Sequence, residues 1–363
     1  MGKFNYTSWV LPRVAAAMLA ASAPAQTTPA DGGLMDPWPA TGSGPYKIVN
    51  TASFPGDGAI HDVTVDSESR RLYVPRGQAV LVFDLDTFKP VGAVTNTRAH
   101  TVAVDATTHH VFASSSPVAM WDARTLALIK TIPVAGDPDG ILDDPASGRI
   151  FVFSHSAPNV TAIDARDGSI VGTVDLGGEP EQAQTDGRGY LYVELEDKDC
   201  VAVVDSGTLK MTGAYGLGGK GGGPEGLGLD AENHLLFVFC REPATCVILS
   251  TDDGKILDTL PIGIGSDDGG FNPSTMEAFS SQRDGTLTII KERSATSFVV
   301  EQTVTTKPGA KTCSLDTRKN QIVLITLERP PGAGQPGQSA GGHQSSRSPN
   351  SGSGSLDVLV VGR

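Results

Sequence analysis

Cysteine, aromatic side chains and long apolar runs are all scarce in this 363-residue chain, and each scarcity narrows what it can be. The four cysteines, Cys200, Cys240, Cys246 and Cys313, show no zinc-ligand spacing, and no Cys-x-x-Cys-His run for haem attachment occurs. Beyond the N-terminus no segment approaches the roughly 20 apolar residues of a membrane helix, and none keeps a helical period. Basic side chains are few, 28 Lys and Arg against 41 Asp and Glu. A general nucleic-acid binder needs the opposite balance. No Ser-His-Asp or Cys-His set can be assembled from spacing. The glycine-rich run at 216–228 has no Ser or Thr after Lys220 and no strand-to-helix setting, so it suits a long turn rather than a phosphate loop.

What is abundant is turn chemistry, with 43 glycines and 24 prolines punctuating short β-branched runs. Residues 136–178 predict four strands in one pass, at 140–143, 149–153, 159–163 and 169–174. A single sheet of this kind has two apolar faces and cannot bury both alone, so it needs neighbours like itself. The chain supplies them. Turn positions recur at Asp66, Asp105, Asp144, Asp186, Asp230, Pro273 and Asp316, with spacings of 39, 39, 42, 44, 43 and 43. Each is followed by a second apolar run: RRLYV, HHVFA, GRIFV, GYLYV, HLLFV, MEAFS and QIVLI. A four-stranded repeat of this length predicts an all-β, seven-bladed β-propeller.

In chain order, residues 1–25 read as an export signal, with a short apolar core at 14–22 and a small-x-small cleavage site at 23–25. That predicts a periplasmic or secreted protein. Residues 26–45 are a Pro/Gly-rich lead-in, and 46–363 form the propeller. The last blade is one strand short, so YKIVNTASF at 46–54 is expected to complete it and close the ring. Residues 329–354 read as a disordered Pro/Gly/Ser-rich insert within that blade. Cys240 and Cys246 flank a short hairpin loop and are a candidate disulfide in an oxidising compartment.

RLYV at 71–74, VAVVDSGTLK at 201–210, DARDGSIVGTVDLGG at 164–178, TDDGKILDTLPIG at 251–263 and LDVLVVGR at 356–363 repeat one pattern of strand, Asp-containing turn and strand. The pattern resembles the YVTN-type (YncE-like) seven-bladed β-propeller family of exported proteins, across roughly residues 46–363. The resemblance implies the architecture and an exported location. It implies no particular activity.

In a propeller the loop entering each innermost strand lies at one mouth of the axial channel. The residue five before each turn position should therefore face it: His61, His100, Asp139, Glu181, Glu225, Asp268 and Lys311. All seven are ionisable. Loops between second and third strands share that face, and of these Arg76 and His155 are singled out because they stand at strand ends. Three readings of the ring stay open: a solvated polar funnel, a cation or metal site on His61, His100, Asp139, Glu181, Glu225 and Asp268, or an organic-ligand site. The expected function is a monomeric binding or scaffold propeller that holds a small ligand, divalent cation or protein partner without turnover. The alternative is a metal-assisted lyase or lactonase of the streptogramin-lyase or gluconolactonase-like kind. His61 or His100 would then be the base, with Glu181 and Glu225 nearest the metal.

Overall fold

The computed structural model describes residues 44–328 and 353–363. The export signal, nearly all of the lead-in and most of the insert fall outside the described residues. Within them, 28 strands form seven four-stranded antiparallel sheets. Six sheets run in simple chain order. In the seventh, Lys47–Asp57 pairs with Ser353–Gly362, which pairs with Gln321–Glu328 and then Thr312–Asp316. The expected closure is therefore present. The closing strand runs three residues further than the sequence indicated, and Ser353 and Gly354 open the final strand instead of ending the insert.

Strand alternation builds the core. In Arg149–Ser154, Phe151 and Phe153 pack towards the fourth blade, while Ile150 and Val152 pack towards the second. Successive side chains of a strand point to opposite faces, so one apolar run serves two interfaces. Among the described residues there are seven apolar clusters, one in each seam between neighbouring blades. Each fully buried Phe or Leu in these seams contributes on the order of 1.5–3 kcal/mol.

The turn carboxylates hold the hairpins that join first and second strands. Asp66 accepts the amides of Glu68 and Ser69, Asp105 that of Thr107, Asp186 that of Arg188, and Asp230 those of Glu232 and Asn233. Asp84, Asp122, Asp164 and Asp205 do the same for the turns after the third strands. These are local Asx turns that offset the cost of ordering each connection.

The sixth blade corrects the repeat register. There Asn272, not Pro273, plays the turn role and accepts the Ser274 amide at 3.0 Å. The hairpin of the fifth blade corrects the disulfide. Cys246 lies opposite Phe239, and Cys240 opposite Thr245. The two thiols therefore point to opposite faces, Cys240 into the seam with the fourth blade and Cys246 into the seam with the sixth. All four cysteines are free.

Candidate functional site

Four inner strands carry an irregularity in register just where they enter the sheet. It falls between Pro138 and Ile141, Pro180 and Ala183, Pro224 and Leu227, and Ser266 and Asp268. A bulge lets a strand re-aim one side chain without losing the ladder below it. The first residues inside those irregularities are Asp139, Glu181, Glu225 and Asp267. With His61, His100 and Lys311 they line a cavity of about 640 Å³ at one end of the channel.

The ring is a chain of ion pairs and ring contacts. His61 stacks on His100 with ring centroids 4.4 Å apart. His100 Nδ1 contacts Asp139, whose other oxygen lies 3.2 Å from His155 Nε2. The same imidazole nitrogen lies 3.1 Å from Glu181. On the far side Arg241 contacts Glu225, Glu196 at 3.3 Å and Asp267 at 2.6 Å, and Arg283 and Lys311 also hold Asp267. The mouth thus has an imidazole-carboxylate arc and a cationic arc gathered round one aspartate.

Electrostatics follow this division. Burial, helped by the neighbouring His100, pushes His61 down to about 4, so it is neutral at pH 7. The Glu181 carboxylate against its ring outweighs burial and lifts His155 to about 9, so it is cationic. Burial raises Glu181 even so. Burial also opposes ionisation of Asp267, yet Lys311, Arg283 and Arg241 together hold it down at about 2.

Two sequence-derived positions move. Asp268 sits one tier deeper than the ring, because the true turn residue is Asn272. Its oxygens accept the side-chain amide of Gln182 at 2.7 Å and the backbone amides of Gly269 at 2.8 Å and Cys313 at 2.9 Å. Arg76 is not part of the mouth. Its guanidinium turns outward to the carbonyls of Phe54, Gly56 and Gly354, where it ties the closing strand to the final one. His155 does reach the ring. Glu196, Arg241 and Arg283, from the same set of loops, join it.

Several residues in or beside the lining were not singled out from the sequence. Asp62 lies beside Asp268 across the deeper tier, and burial together with that neighbouring charge raises its carboxyl well above the ordinary range. Gln182 bridges three blades by accepting the Leu227 amide at 2.5 Å and donating to Asp268. Gly226 allows the inner strands of the fifth and sixth blades to touch, since a Cβ there would lie 2.9 Å from the Asp268 carbonyl carbon. The signal for Asp267 was present in the sequence, as the residue five before Asn272.

No family model matches the chain, and no curated protein matches it either. Solved structures do. A chain from the crystal structure of the mitotic checkpoint complex aligns at a TM-score of 0.67 and 13% identity, over 86% of this chain and 95% of that one. The WD40 repeats of RRP9 align at 0.68 and 9% identity, over 89% and 99%. U3-55K aligns at 0.66 and 9% identity, over 87% and 98%. What is shared is the propeller fold. At these identities the likeness carries architecture and no site residues.

Proposed function

We propose that this protein is a binding propeller, holding a small polar ligand of mixed charge at the channel mouth without turning it over. The observation that carries this reading is the mouth itself. All seven blades contribute an ionisable side chain to one cavity, sorted into a cationic arc and an imidazole-carboxylate arc. Lys311 and Arg283 are 40% and 52% exposed, which leaves donors for an incoming carboxylate. Glu181, which lines the same cavity, offers an acceptor for an ammonium or hydroxyl group. A concave site with few apolar walls and convergent polar groups selects by hydrogen bonding and charge, not by apolar area.

The same face suits a protein or peptide partner, and one structural neighbour is itself a chain of a multiprotein complex, the mitotic checkpoint complex. On its repeated motifs and N-terminal leader we place the protein among exported YVTN-type propellers. The contact of His100 with Asp139 is the one observation that favours the lyase or lactonase alternative, because a carboxylate behind an imidazole fixes its tautomer.

The test is thermal unfolding against a panel of amino acids, polyamines and sugar acids, for wild type and for Glu181→Gln with Lys311→Met. At least one panel compound is expected to raise the wild-type melting temperature and to lose that effect in the double variant. Equal stabilisation of both proteins would place the ligand elsewhere. Lactone hydrolysis that depends on His100 and a divalent ion would favour the enzyme reading.

A further inference from the structure

Five acidic and imidazole side chains at the mouth fall into two sets that share Glu181. In the first, one ligand atom each from Asp139, His155 and Glu181 lies within 4.8 Å of the others. In the second, Glu181, Glu196 and Glu225 converge in the same way. The second set is already neutralised. Arg241 contacts both Glu225 and Glu196, and a guanidinium cannot lose its proton to make way for a metal. In the first set the group between the two carboxylates is an imidazole, His155, which unlike a guanidinium can give up its proton to a metal.

That imidazole is badly placed for the ion pair it makes. His155 Nε2 is shielded from solvent and lies within 3.2 Å of both carboxylates, yet forms a well-directed hydrogen bond with neither. A nitrogen aimed between two oxygens, not at either, is the arrangement of three ligands around a common centre. His100 contacts the other oxygen of Asp139, as an outer partner that orients a ligating carboxylate. Asp139 and Glu181 line the cavity, which leaves room for water or a ligand group in the remaining coordination positions.

We infer that Asp139, His155 and Glu181 form a binding site for a divalent first-row transition metal ion, with zinc and manganese as the representative cases. One imidazole and two carboxylates are a mixed nitrogen-oxygen set, which suits these ions better than calcium or magnesium. The ion takes the lone pair of His155 Nε2, and any proton held there passes to solvent. The inference rests on the reading of the channel mouth as the binding site, and supplies that site with a cation able to hold an anionic ligand group.

The experiment uses the full chain, stripped with EDTA, dialysed, and titrated with zinc chloride and then manganese chloride by calorimetry. One ion per chain is expected, with His155→Ala and Glu181→Gln each weakening it by about tenfold or more. His234→Ala, outside the mouth, should bind as wild type does, and Glu196→Gln should lose less than His155→Ala. Absence of binding to wild type, or equal binding by His155→Ala and Glu181→Gln, overturns the assignment. So does a Glu196→Gln loss as large as that of His155→Ala, which would move the ion to the second set. Should His155→Ala fail to fold by circular dichroism, the near-isosteric Asp139→Asn and Glu181→Gln decide the matter alone. Running the ligand panel in EDTA separates this inference from the reading it rests on. A panel compound that stabilises a protein unable to bind either ion ends the metal site and leaves the binding propeller intact.

Discussion

Asp267 and Glu194 are both almost wholly buried, yet the fold treats their charges in opposite ways. Asp267 is held by Lys311, Arg241 and Arg283, and its folded pKa lies near 2. A depressed carboxylate adds stability that is complete above its unfolded pKa of about 3.9 and is lost as pH falls through the folded value. Asp267→Asn should therefore flatten the acid limb of the melting profile between about pH 4 and 2. It should also cost about 2 kcal/mol at pH 7, less than a sealed pair, because Lys311 and Arg283 are exposed enough to be screened. A variant with an unchanged acid limb would detach this network from stability. Glu194 has no such partners. Its side chain is fully buried in the seam between the fourth and fifth blades, and neither oxygen has a well-formed hydrogen bond. Burial raises it far above the usual carboxyl range, Glu181 and Asp268 add to this, and the Gly226 amide and Arg241 oppose it only in part. A raised carboxyl has the reverse sign: stability falls as pH rises from the unfolded pKa towards the folded one. Glu194→Gln should raise the melting temperature at pH 8 by roughly 2 °C or more and leave it nearly unchanged at pH 4. Equal shifts at both pH values would mean that the carboxyl does not titrate in this window.

At the scale of single elements, Arg76 and the hairpin around Cys240 carry the clearest consequences. The Arg76 guanidinium, on the first blade, accounts for three carbonyls of the closing and final strands. Arg76→Met keeps the length of the stem and leaves those carbonyls unpaired, so a loss of about 2–4 kcal/mol in urea unfolding is expected. A loss below about 0.5 kcal/mol would show that water replaces the clamp fully. In the Cys240 hairpin burial pushes the Cys240 and Cys246 thiols up and out of reach of alkylating reagents, and it does the same to Cys313 on the inner strand of the seventh blade. Native alkylation at pH 8 should label at most the half-exposed Cys200, and unfolding in denaturant should release four reactive thiols by intact mass. Two thiols that stay blocked would restore the bridge. These elements also mark how far the sequence can be read. Periodic turn aspartates, and a Pro or Ala before most ring residues, made the blades and most of the mouth legible, because both are local chemistry. The sixth blade slipped by one where Asn272 stands in for Asp and Pro273 invites alignment. Arg76 was misplaced because its partners arrive from both ends of the chain. Glu194 left no local signal, because the poor pairing of its carboxyl depends on which groups the neighbouring blade brings to it.

The whole molecule depends on one sheet that neither end of the chain can make alone. Each blade touches only its two neighbours, so a ring gains cooperativity from its last seam and an open arc would fray from its ends. That seam is secured at several points. Lys47–Asp57 pairs along the whole final strand. Tyr46 exchanges backbone hydrogen bonds of 2.9 and 2.8 Å with the Gln302 side chain and donates its hydroxyl to Glu277. The Arg363 guanidinium lies 4.9 Å above the Tyr46 ring and contacts the same glutamate. Tyr46, Glu277 and Arg363 thus pin both arms of the closing sheet to the sixth blade, while Phe54 and Ala52 pack with the first. Deleting residues 1–57 removes all of this except the Arg363–Glu277 contact and exposes Ser353–Gly362 as a ten-residue unpaired edge. The truncated chain should unfold in urea at a lower midpoint, over a broader transition with a reduced m-value, and should self-associate on size exclusion in proportion to concentration. Adding the 46–57 peptide in excess should restore a monomer by strand addition to that edge. A truncated protein that stays monomeric, with the midpoint and m-value of the full chain, would mean that the other six seams suffice and that closure contributes nothing measurable.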